Sequence, residues 1–281
     1  ILHNMDKLAN TVLVMIDFSK AFDMVNHKIL LSKLRHIGLS DIPLTFFDNY
    51  LVGRRQKVKT YRGTSSIGMV SSGVPQGSVL APLLYLIYTF DLHSCIEYCE
   101  IQTYADDTQL TFYFNSSLLD EVSYKINLDL ANITDYCKRH SLKINPEKSS
   151  SMLFCAKHIY NNLKDRIVLV MNNKRVPIVE QVKNLGVILD HNLRFEGHIN
   201  YLSRQTYFKL KLLYSNRFIL NFKSRKKLVE SLVLSSLNYA LILYYPCLDS
   251  VNKGRLQRMQ NNCCRFVFGL RKYSHVSSKV K

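Results

Sequence analysis

The chain has 281 residues, long enough to bury a sizeable core, and its 38 lysines and arginines against 21 aspartates and glutamates give a formal net charge of +17 at pH 7. Such a charge attracts phosphate backbones without selecting a sequence. Seven scattered cysteines, an odd number, argue against a disulfide framework and for an intracellular, reducing compartment, the nucleus or the cytoplasm.

The first predicted element is a buried strand at 11–17, where an apolar, β-prone run ends at the charge of Asp17. A helix at about 24–36 follows it. Asp23 immediately precedes the apolar pattern of this helix, and we therefore expect it to be the N-cap.

A glycine-rich loop at 72–82 leads into an apolar helix, which is predicted from Val79 to about Phe90. Ser78 suits the N-cap of this helix. Backbone freedom at Gly73 and Gly77 would let the loop lie close to a nucleotide or a template base. Such a loop, taken alone, is a weak signal and is more often an ordinary helix entrance.

Two adjacent carboxylates, Asp106 and Asp107, lie between two β-prone runs and are predicted to form the tip of a hairpin. An Asp-Asp pair alone is an ordinary turn. Combined with Asp17 it fits metal-dependent phosphoryl transfer, because hard cations such as Mg²⁺ need oxygen ligands.

The rest of the chain predicts an α+β fold in which an antiparallel sheet is covered by helices on one face. A helix near 118–140 shows amphipathic spacing. Short strands follow at about 150–155, 167–171, 175–179 and 185–189, with a hairpin turn at Asn172 and Asn173.

We place a domain boundary at 194/195, because the sequence then changes to basic, helical segments. Residues 201–281 contain 16 basic and 2 acidic residues. Residues 231–248 lack charge, but Asn238 and Pro246 favour a buried helix over a membrane span.

Three motifs in this order resemble motifs A, B and C of reverse transcriptases from LINE-like retrotransposons, which lack long terminal repeats. They are DFSKAFD at 17–23, GVPQGS at 73–78 and YADD at 104–107. NPEK at 145–148 is similar to motif D, and NLGVILD at 184–190 is similar to the motif E region, called the primer grip. The resemblance extends into the basic C-terminal part, so it implies a polymerase palm at 1–194 and a thumb-like region at 195–281.

The resemblance implies that Asp17, Asp106 and Asp107 hold two Mg²⁺ ions, which Mn²⁺ can replace. Phe22 matches the steric gate that excludes a ribose 2′-hydroxyl. Lys148 matches a lysine proposed to protonate the departing pyrophosphate, although it is followed here by serine, where threonine is usual.

The remaining implied contacts are with nucleotide and nucleic acid. The loop residues Gly73, Pro75, Gln76 and Gly77 are expected to contact the incoming nucleotide. Expected nucleic-acid contacts come from three places: Arg54, Arg55 and Lys57 on the template side, Leu185 and Gly186 in the primer grip, and Lys223, Arg225, Lys226 and Lys227 in the thumb-like region. For each lysine or arginine, an ordinary solvated position is the alternative.

We therefore predict an RNA-directed DNA polymerase segment whose partners are an RNA template, a DNA primer and deoxynucleoside triphosphates, with neither a membrane nor an obligate protein partner. Few residues precede Asp17, so we expect the fingers to be missing or truncated. The alternative from another class is a catalytically inactive retroelement remnant that still binds nucleic acid. An RNA polymerase of related fold is disfavoured by Phe22 and by Ala-Asp-Asp in place of Gly-Asp-Asp.

Overall fold

The structure is a computed structural model that describes residues 10–115 and 119–276. Three short segments of the expected elements lie outside the described residues. They are 1–9 and 277–281, at the ends of the two expected domains, and the first residue of the helix predicted near 118. The chain divides into two compact units, residues 1–179 and 180–281, and each is considered by itself.

The first unit mixes strands and helices. In chain order its strands and helices are β1 (Asn10–Ile16), α1 (His27–His36), α2 (Asp41–Leu51), β2 (Arg55–Gln56), β3 (Lys59–Thr60), β4 (Gly63–Thr64), β5 (Gly68–Met69), α3 (Ala81–Thr89), β6 (Glu100–Tyr104), β7 (Asp107–Phe114), α4 (Leu119–Arg139), β8 (Ser150–Phe154), α5 (Tyr160–Arg166), β9 (Val170–Met171) and β10 (Lys174–Arg175). Short 3₁₀ turns lie at Ala21–Met24 and Leu92–Cys95.

A four-stranded antiparallel sheet, in the order β6-β7-β1-β8, forms the centre of this unit. Successive side chains of a strand point to opposite faces. Val12, Val14 and Ile16 of β1 therefore share one face, and they belong to the same buried core as residues of α1, α3 and α4. The predicted α+β fold, with helices packed on a face of an antiparallel sheet, is confirmed.

A partly buried ion pair fixes the helices on this face. Lys33 of α1 is only 9% exposed, and its ammonium group donates to a carboxylate oxygen of Asp91 at 2.6 Å. The Tyr136 hydroxyl of α4 donates to the same oxygen at 2.6 Å. Because a charge in an apolar core is costly unless it is paired, these contacts hold α1, α4 and the end of α3 in one arrangement.

The sequence locates most of these elements to within a few residues, but it misplaces two caps. The expected N-cap role of Ser78 is wrong, because α3 begins at Ala81 and its N-cap is Leu80, although the Ser78 hydroxyl accepts from the N–H of Ala81 at 3.1 Å. Helix α1 begins at His27, and its N-cap is Asn26, whose side chain accepts from the backbone N–H groups of Lys28 and Ile29. The expected N-cap role of Asp23 is wrong, because Asp23 lies in the preceding 3₁₀ turn. The hairpin turn predicted at Asn172 and Asn173 is confirmed by their positive φ angles, 50° and 59°.

The second unit consists of one hairpin and a set of helices. In chain order these are β11 (Gln181–Asn184), β12 (Val187–Asp190), α6 (Glu196–Ser215), α7 (Phe222–Val229), a π-helical turn (Glu230–Leu234), α8 (Ser235–Asn238), α9 (Leu241–Tyr244), a 3₁₀ turn (Tyr245–Cys247) and α10 (Ser250–Val267).

The hairpin of the second unit belongs with the helices that follow it. Buried Asp190, at the end of β12, accepts hydrogen bonds from the backbone N–H groups of Arg194 at 3.0 Å and Phe195 at 2.6 Å, just before α6 begins. The observed division at 179/180 therefore precedes the expected boundary at 194/195, and the motif E hairpin lies in the second unit.

Residues Phe222–Cys247 are long and apolar enough to qualify as a membrane span, judged by the most apolar 18-residue window within them. Only 22% of that window is buried, so the expected burial of this region holds for a minority of it. The helical path is also interrupted, because Tyr239 is extended and Ala240 has a φ of 53°. A straight span of the hydrocarbon core needs about 20 continuous residues, and this segment breaks before that length is reached.

Candidate active site

The carboxylates of motifs A and C lie at the same end of the two central strands. Strands β1 and β7 are antiparallel, with Ile16 opposite Thr108, so the next pair in this register is Asp17 opposite Asp107. Side chains directly opposite each other in such a pair have Cβ atoms about 5 Å apart. Alternation places both carboxylates on the sheet face opposite the one that carries Val14 and Ile16.

Asp106 joins this pair through a tight turn. Tyr104 pairs with Asp107 in the β6–β7 hairpin, so Ala105 and Asp106 are the two connecting residues, and Ala105 has a φ of 53°. The predicted hairpin is present, with Asp106 at its tip and Asp107 as the first residue of β7. Strand pairing thus brings Asp17 close to this turn, although the two are far apart in the sequence.

The charges of the three carboxylates act on one another. The pKa of Asp107 is raised above its ordinary value, first by partial desolvation and then by the negative charges of Asp106 and Asp17. A bound cation would relieve this repulsion, and oxygen donors are the ligands that hard divalent cations prefer.

Within residues 10–115 and 119–276, no three His, Cys, Asp or Glu side chains gather closely enough to enclose a metal ion by themselves. Mg²⁺ is usually bound by one or two carboxylates and completed by substrate phosphates and water, so a pair such as Asp17 and Asp107 could supply its protein ligands without a third side chain. The residues at the ends of β1 and β7 thus fit an ion that arrives with a triphosphate.

The motif D turn holds the backbone of Asp17 from both sides. The N–H of Asp17 donates to the hydroxyl of Ser149 at 3.1 Å, and that hydroxyl donates to the carbonyl of Asn145 at 2.8 Å. The N–H of Asn145 in turn donates to the carbonyl of Asp17 at 2.8 Å. Ser149 is only 1% exposed, so water is excluded from this arrangement and the protein groups satisfy one another.

The expected steric-gate residue rests on a buried tyrosine. The rings of Phe22 and Tyr85 are stacked, with centroids 4.6 Å apart and an angle of 26° between their planes. Tyr85 is 1% exposed, and its pKa is raised by burial and then by the negative charge of Asp106. Phe22 therefore has a rigid support close to the acidic cluster.

The motif B loop is bonded directly to the segment after motif A. Gly73 donates to the carbonyl of Val25 at 2.8 Å, and its own carbonyl is bonded to Nε2 of buried His27 at 2.8 Å. The φ of Gly73 is 91°, and a Cβ there would lie 2.8 Å from backbone atoms of Asp23. Only glycine fits this close approach without strain.

Gln76 of this loop is tied to motif A as well. Its side-chain amide donates to the carboxylate of Asp23 at 2.8 Å, which gives Asp23 a role different from the expected cap. Gln76 and Gly77 are exposed and Pro75 is half-buried. Gly77 has a φ of 85° and open space around it, so this part of the loop is accessible to a ligand.

The predicted basic contacts of the first unit lie on its surface. Lys148 is exposed, in the turn that contains Ser149. Arg54, Arg55 and Lys57 are exposed at the start of a β-ribbon in which Arg55 pairs with Met69. The guanidinium of Arg54 lies 5.6 Å from the ring centre of Tyr50.

In the second unit, Leu185 and Gly186 form the two-residue turn of the β11–β12 hairpin, with positive φ angles of 44° and 86°. The hydroxyl of Tyr239 donates to the carbonyl of Leu185 at 2.7 Å. A Cβ on Gly186 would lie 3.1 Å from the same tyrosine ring. Tyr239 therefore fixes the turn that resembles the primer grip.

The four predicted cations of α7 differ in their surroundings. Lys223, Lys226 and Lys227 are exposed, and Lys226 lies 3.9 Å from Glu230. Arg225 is half-buried and donates to the carbonyls of Leu220 at 3.0 Å and Arg217 at 2.8 Å. Arg225 therefore faces inward, unlike its lysine neighbours.

Sequence reasoning missed Ser149, His27 and Tyr85 as supports of the site. Only Ser149 carried a usable signal, since it directly follows Lys148 in the motif D segment. His27 and Tyr85 lie within predicted helices, where ordinary packing is the simpler interpretation.

Comparison with known proteins identifies the family of this chain. A family model described as "Reverse transcriptase (RNA-dependent DNA polymerase)" matches residues 2–189. A probable RNA-directed DNA polymerase from transposon BS of Drosophila melanogaster is 30% identical, over 90% of this chain and 28% of that protein. The RNA-directed DNA polymerase from mobile element jockey of Drosophila funebris is 29% identical, over 82% of this chain and 25% of that protein. The chain thus spans about a quarter of the length of these relatives.

Among solved structures, a telomerase from Candida albicans in complex with a TWJ fragment of telomeric RNA is 14% identical, with a TM-score of 0.43 over 93% of this chain and 48% of that one. An apo telomerase from Candida tropicalis is 12% identical, with a TM-score of 0.46 over 95% of this chain and 47% of that one. The family match covers motifs A to D and nearly all of the motif E region, and the resemblance to LINE-like retrotransposon enzymes is confirmed by the Drosophila relatives. The chain belongs to the reverse transcriptase family.

Proposed function

We propose that this chain copies RNA into DNA by adding deoxynucleotides to a primer 3′-hydroxyl. The observation that carries the proposal is the meeting of Asp17, Asp106 and Asp107 at one end of the β1–β7 pair in a chain of this family. Its partners would be an RNA template, a DNA primer and a deoxynucleoside triphosphate.

The three carboxylates would hold two Mg²⁺ ions together with the triphosphate. When bound, such ions activate the attacking hydroxyl and stabilise the charge of the leaving pyrophosphate. The protein's contribution is to keep the carboxylates in fixed positions: strand pairing orients Asp107, the hairpin turn orients Asp106, and the Ser149 turn fixes the backbone of Asp17.

Other residues would select and orient the substrates. Phe22, supported by Tyr85, would occupy the space of a ribose 2′-hydroxyl and so favour deoxynucleotides. Residues 75–77 would lie along the nucleotide while Gly73 anchors the loop to motif A, and Leu185 with Gly186 would contact the primer. Lys148 is exposed at the motif D turn and is our candidate for the proton donor to pyrophosphate.

Primer extension tests the proposal directly. Wild-type protein is incubated with an annealed RNA template and DNA primer, Mg²⁺ and deoxynucleotides, beside Asp106→Asn. The amide has nearly the shape of the carboxylate but lacks its charge. Since metal-borne charge stabilisation is worth several kcal/mol, we expect extension to fall by about 100-fold or more.

The alternative, an inactive remnant that only binds nucleic acid, is not favoured, because the family match extends across the catalytic motifs. This alternative predicts a different result in the primer-extension assay. A folded wild-type chain that binds RNA–DNA hybrid but extends no primer would support the remnant and contradict our proposal.

A further inference from the structure

The second unit contains a basic cavity that lies apart from the hairpin resembling the primer grip. Its volume is about 740 Å³, within the range of small-molecule and nucleotide sites, and its walls come from α6, α7, α10 and the segment that follows α10. Six cationic side chains line it: Lys211, Arg217, Arg225, Arg265, Arg271 and Lys272.

No acidic residue lines this cavity, which we name the arginine cavity. In the part of the chain that the structure describes, none of its six cations has an ion pair with Asp or Glu. Arg217, Arg225 and Arg265 line the same cavity, so their positive charges share one space. A bound anion would relieve their mutual repulsion.

Two of the arginines are held in place before any ligand arrives. Arg225 donates to the carbonyls of Leu220 and Arg217, as described above. Arg265 donates to the carbonyl of Ser274 at 3.0 Å and to the side-chain oxygen of Asn262 at 2.9 Å. Because a guanidinium carries five N–H groups in a rigid fork, each retains donors for an anion while its orientation is fixed.

Aromatic rings accompany the charges. Phe218 is 85% exposed, and the guanidinium of Arg217 lies 4.5 Å from its ring centre. Tyr207 and Tyr214 also line the cavity. Proteins that bind single-stranded nucleic acid combine such a basic groove with exposed rings on which unpaired bases stack.

We propose that the arginine cavity binds one nucleotide of single-stranded RNA, with a phosphate on the arginines and its base stacked on Phe218. Single-stranded RNA is favoured over duplex because the site is concave and carries the exposed ring of Phe218, and a paired base cannot leave its stack to reach that ring without cost. The inference rests on the proposed function for its choice of nucleic acid as the ligand, but it involves none of the catalytic carboxylates.

Fluorescence anisotropy with labelled oligouridylate, which forms no stable duplex with itself, tests this site in the full chain. Stacking on an aromatic ring is worth about 1–3 kcal/mol per base, so Phe218→Ala should weaken binding by about tenfold. The adjacent apolar residue Ile219, which is 82% exposed, provides the matched control, and Ile219→Ala should bind like wild type.

A second pair of variants tests the charges. The triple substitution Lys211→Gln, Arg217→Gln and Arg271→Gln removes three exposed cations. With about 0.7 counterions released per single-strand phosphate contact, and one phosphate held by these cations, the slope of log affinity against log salt should fall by about 0.7. The control removes three cations from α4, through Lys125→Gln, Lys138→Gln and Arg139→Gln, and should keep the wild-type slope.

The possible outcomes separate this inference from the proposed function. The proposal is overturned if Phe218→Ala and Ile219→Ala bind oligouridylate equally well. It is also overturned if Phe218→Ala weakens the binding of an RNA–DNA hybrid duplex as much as it weakens the binding of oligouridylate. If the cavity variants lost binding to phosphatidylserine vesicles but kept oligouridylate binding, the cavity would be a lipid contact and the proposal would be overturned. Asp106→Asn should bind oligouridylate like wild type, so a failure of primer extension leaves the cavity test unaffected.

Discussion

Replacing Ser149 with alanine removes the hydroxyl that holds the backbone of Asp17. Ser149 is 1% exposed, and its hydroxyl both accepts from the N–H of Asp17 and donates to the carbonyl of Asn145. In Ser149→Ala these two backbone groups lose their partner at a place where water cannot easily substitute. The neighbouring β1 strand would keep its pairing with β7, so the expected disturbance is local.

The expected magnitudes follow from these contacts. A buried polar group left without a partner costs about 1–3 kcal/mol, so the free energy of unfolding should fall by about that amount. The catalytic loss can be larger, because a displacement of about 1 Å in a reacting group can reduce a rate by about 100-fold. We therefore expect kcat for primer extension to fall by between about 10-fold and 100-fold, with little change in primer–template affinity.

Three measurements check this prediction: unfolding in urea, kcat and KM for primer extension, and calorimetric Mn²⁺ binding in the presence of a non-hydrolysable deoxynucleotide analogue. Ser149→Thr keeps the hydroxyl and should recover most of the activity. Ser150→Ala is the matched control, since Ser150 is the adjacent, half-buried serine and its backbone pairs with Met15.

The reasoning would be refuted if Ser149→Ala bound Mn²⁺ and extended primers like Ser150→Ala. It would equally be refuted if Ser149→Ala and Ser149→Thr lost the same activity, because the hydroxyl would then not be the group that matters. A loss of stability without any loss of kcat would restrict Ser149 to a structural role.

Three further predictions follow from the described contacts. Phe22→Val removes the ring stacked on Tyr85 and should raise ribonucleotide incorporation relative to deoxynucleotide incorporation by about tenfold or more; an unchanged ratio in competition assays would contradict the gate. Gly73→Ala places a Cβ 2.8 Å from backbone atoms of Asp23 at a φ of 91°, so the urea midpoint should fall by the equivalent of about 1–3 kcal/mol, whereas Gly254→Ala, with open space around it, should not lower the midpoint. Burial lowers the pKa of His198, so the folded state binds fewer protons than the unfolded state. The contribution of His198 to the free energy of unfolding is therefore fully present above the unfolded pKa near 6.5 and decreases as the pH drops below it. Unfolding midpoints measured from pH 8 to pH 5 should depend less steeply on pH for His198→Gln than for wild type.

Sequence alone determined the elements whose cause is local. The apolar run before Asp17, the β-prone runs on both sides of Asp106 and Asp107, and the Asn172–Asn173 turn all formed as predicted, because strand propensity and turn chemistry act over a few residues. The order of the three motifs likewise identified the family, since it is a property of the chain itself.

The predictions that failed concern residues that could form more than one kind of contact. Asp23 and Asn26 are both good caps, and only the 3₁₀ turn that precedes α1 decides between them. The basic run of α7 indicates a charged surface, but it does not reveal that Arg225 turns inward toward two carbonyl groups while its lysine neighbours stay exposed.

Tertiary structure decided which residues support the catalytic carboxylates. Ser149 contacts Asp17 although the two are 132 positions apart in the chain, and Tyr85 contacts Phe22 because α3 packs against the 3₁₀ turn at Ala21–Met24. Periodicity and propensity contain no information about such pairs, because each contact depends on how sheet, helices and turns pack together. The sequence therefore determined which groups this protein carries for its chemistry, and packing in three dimensions determined how firmly each of them is held.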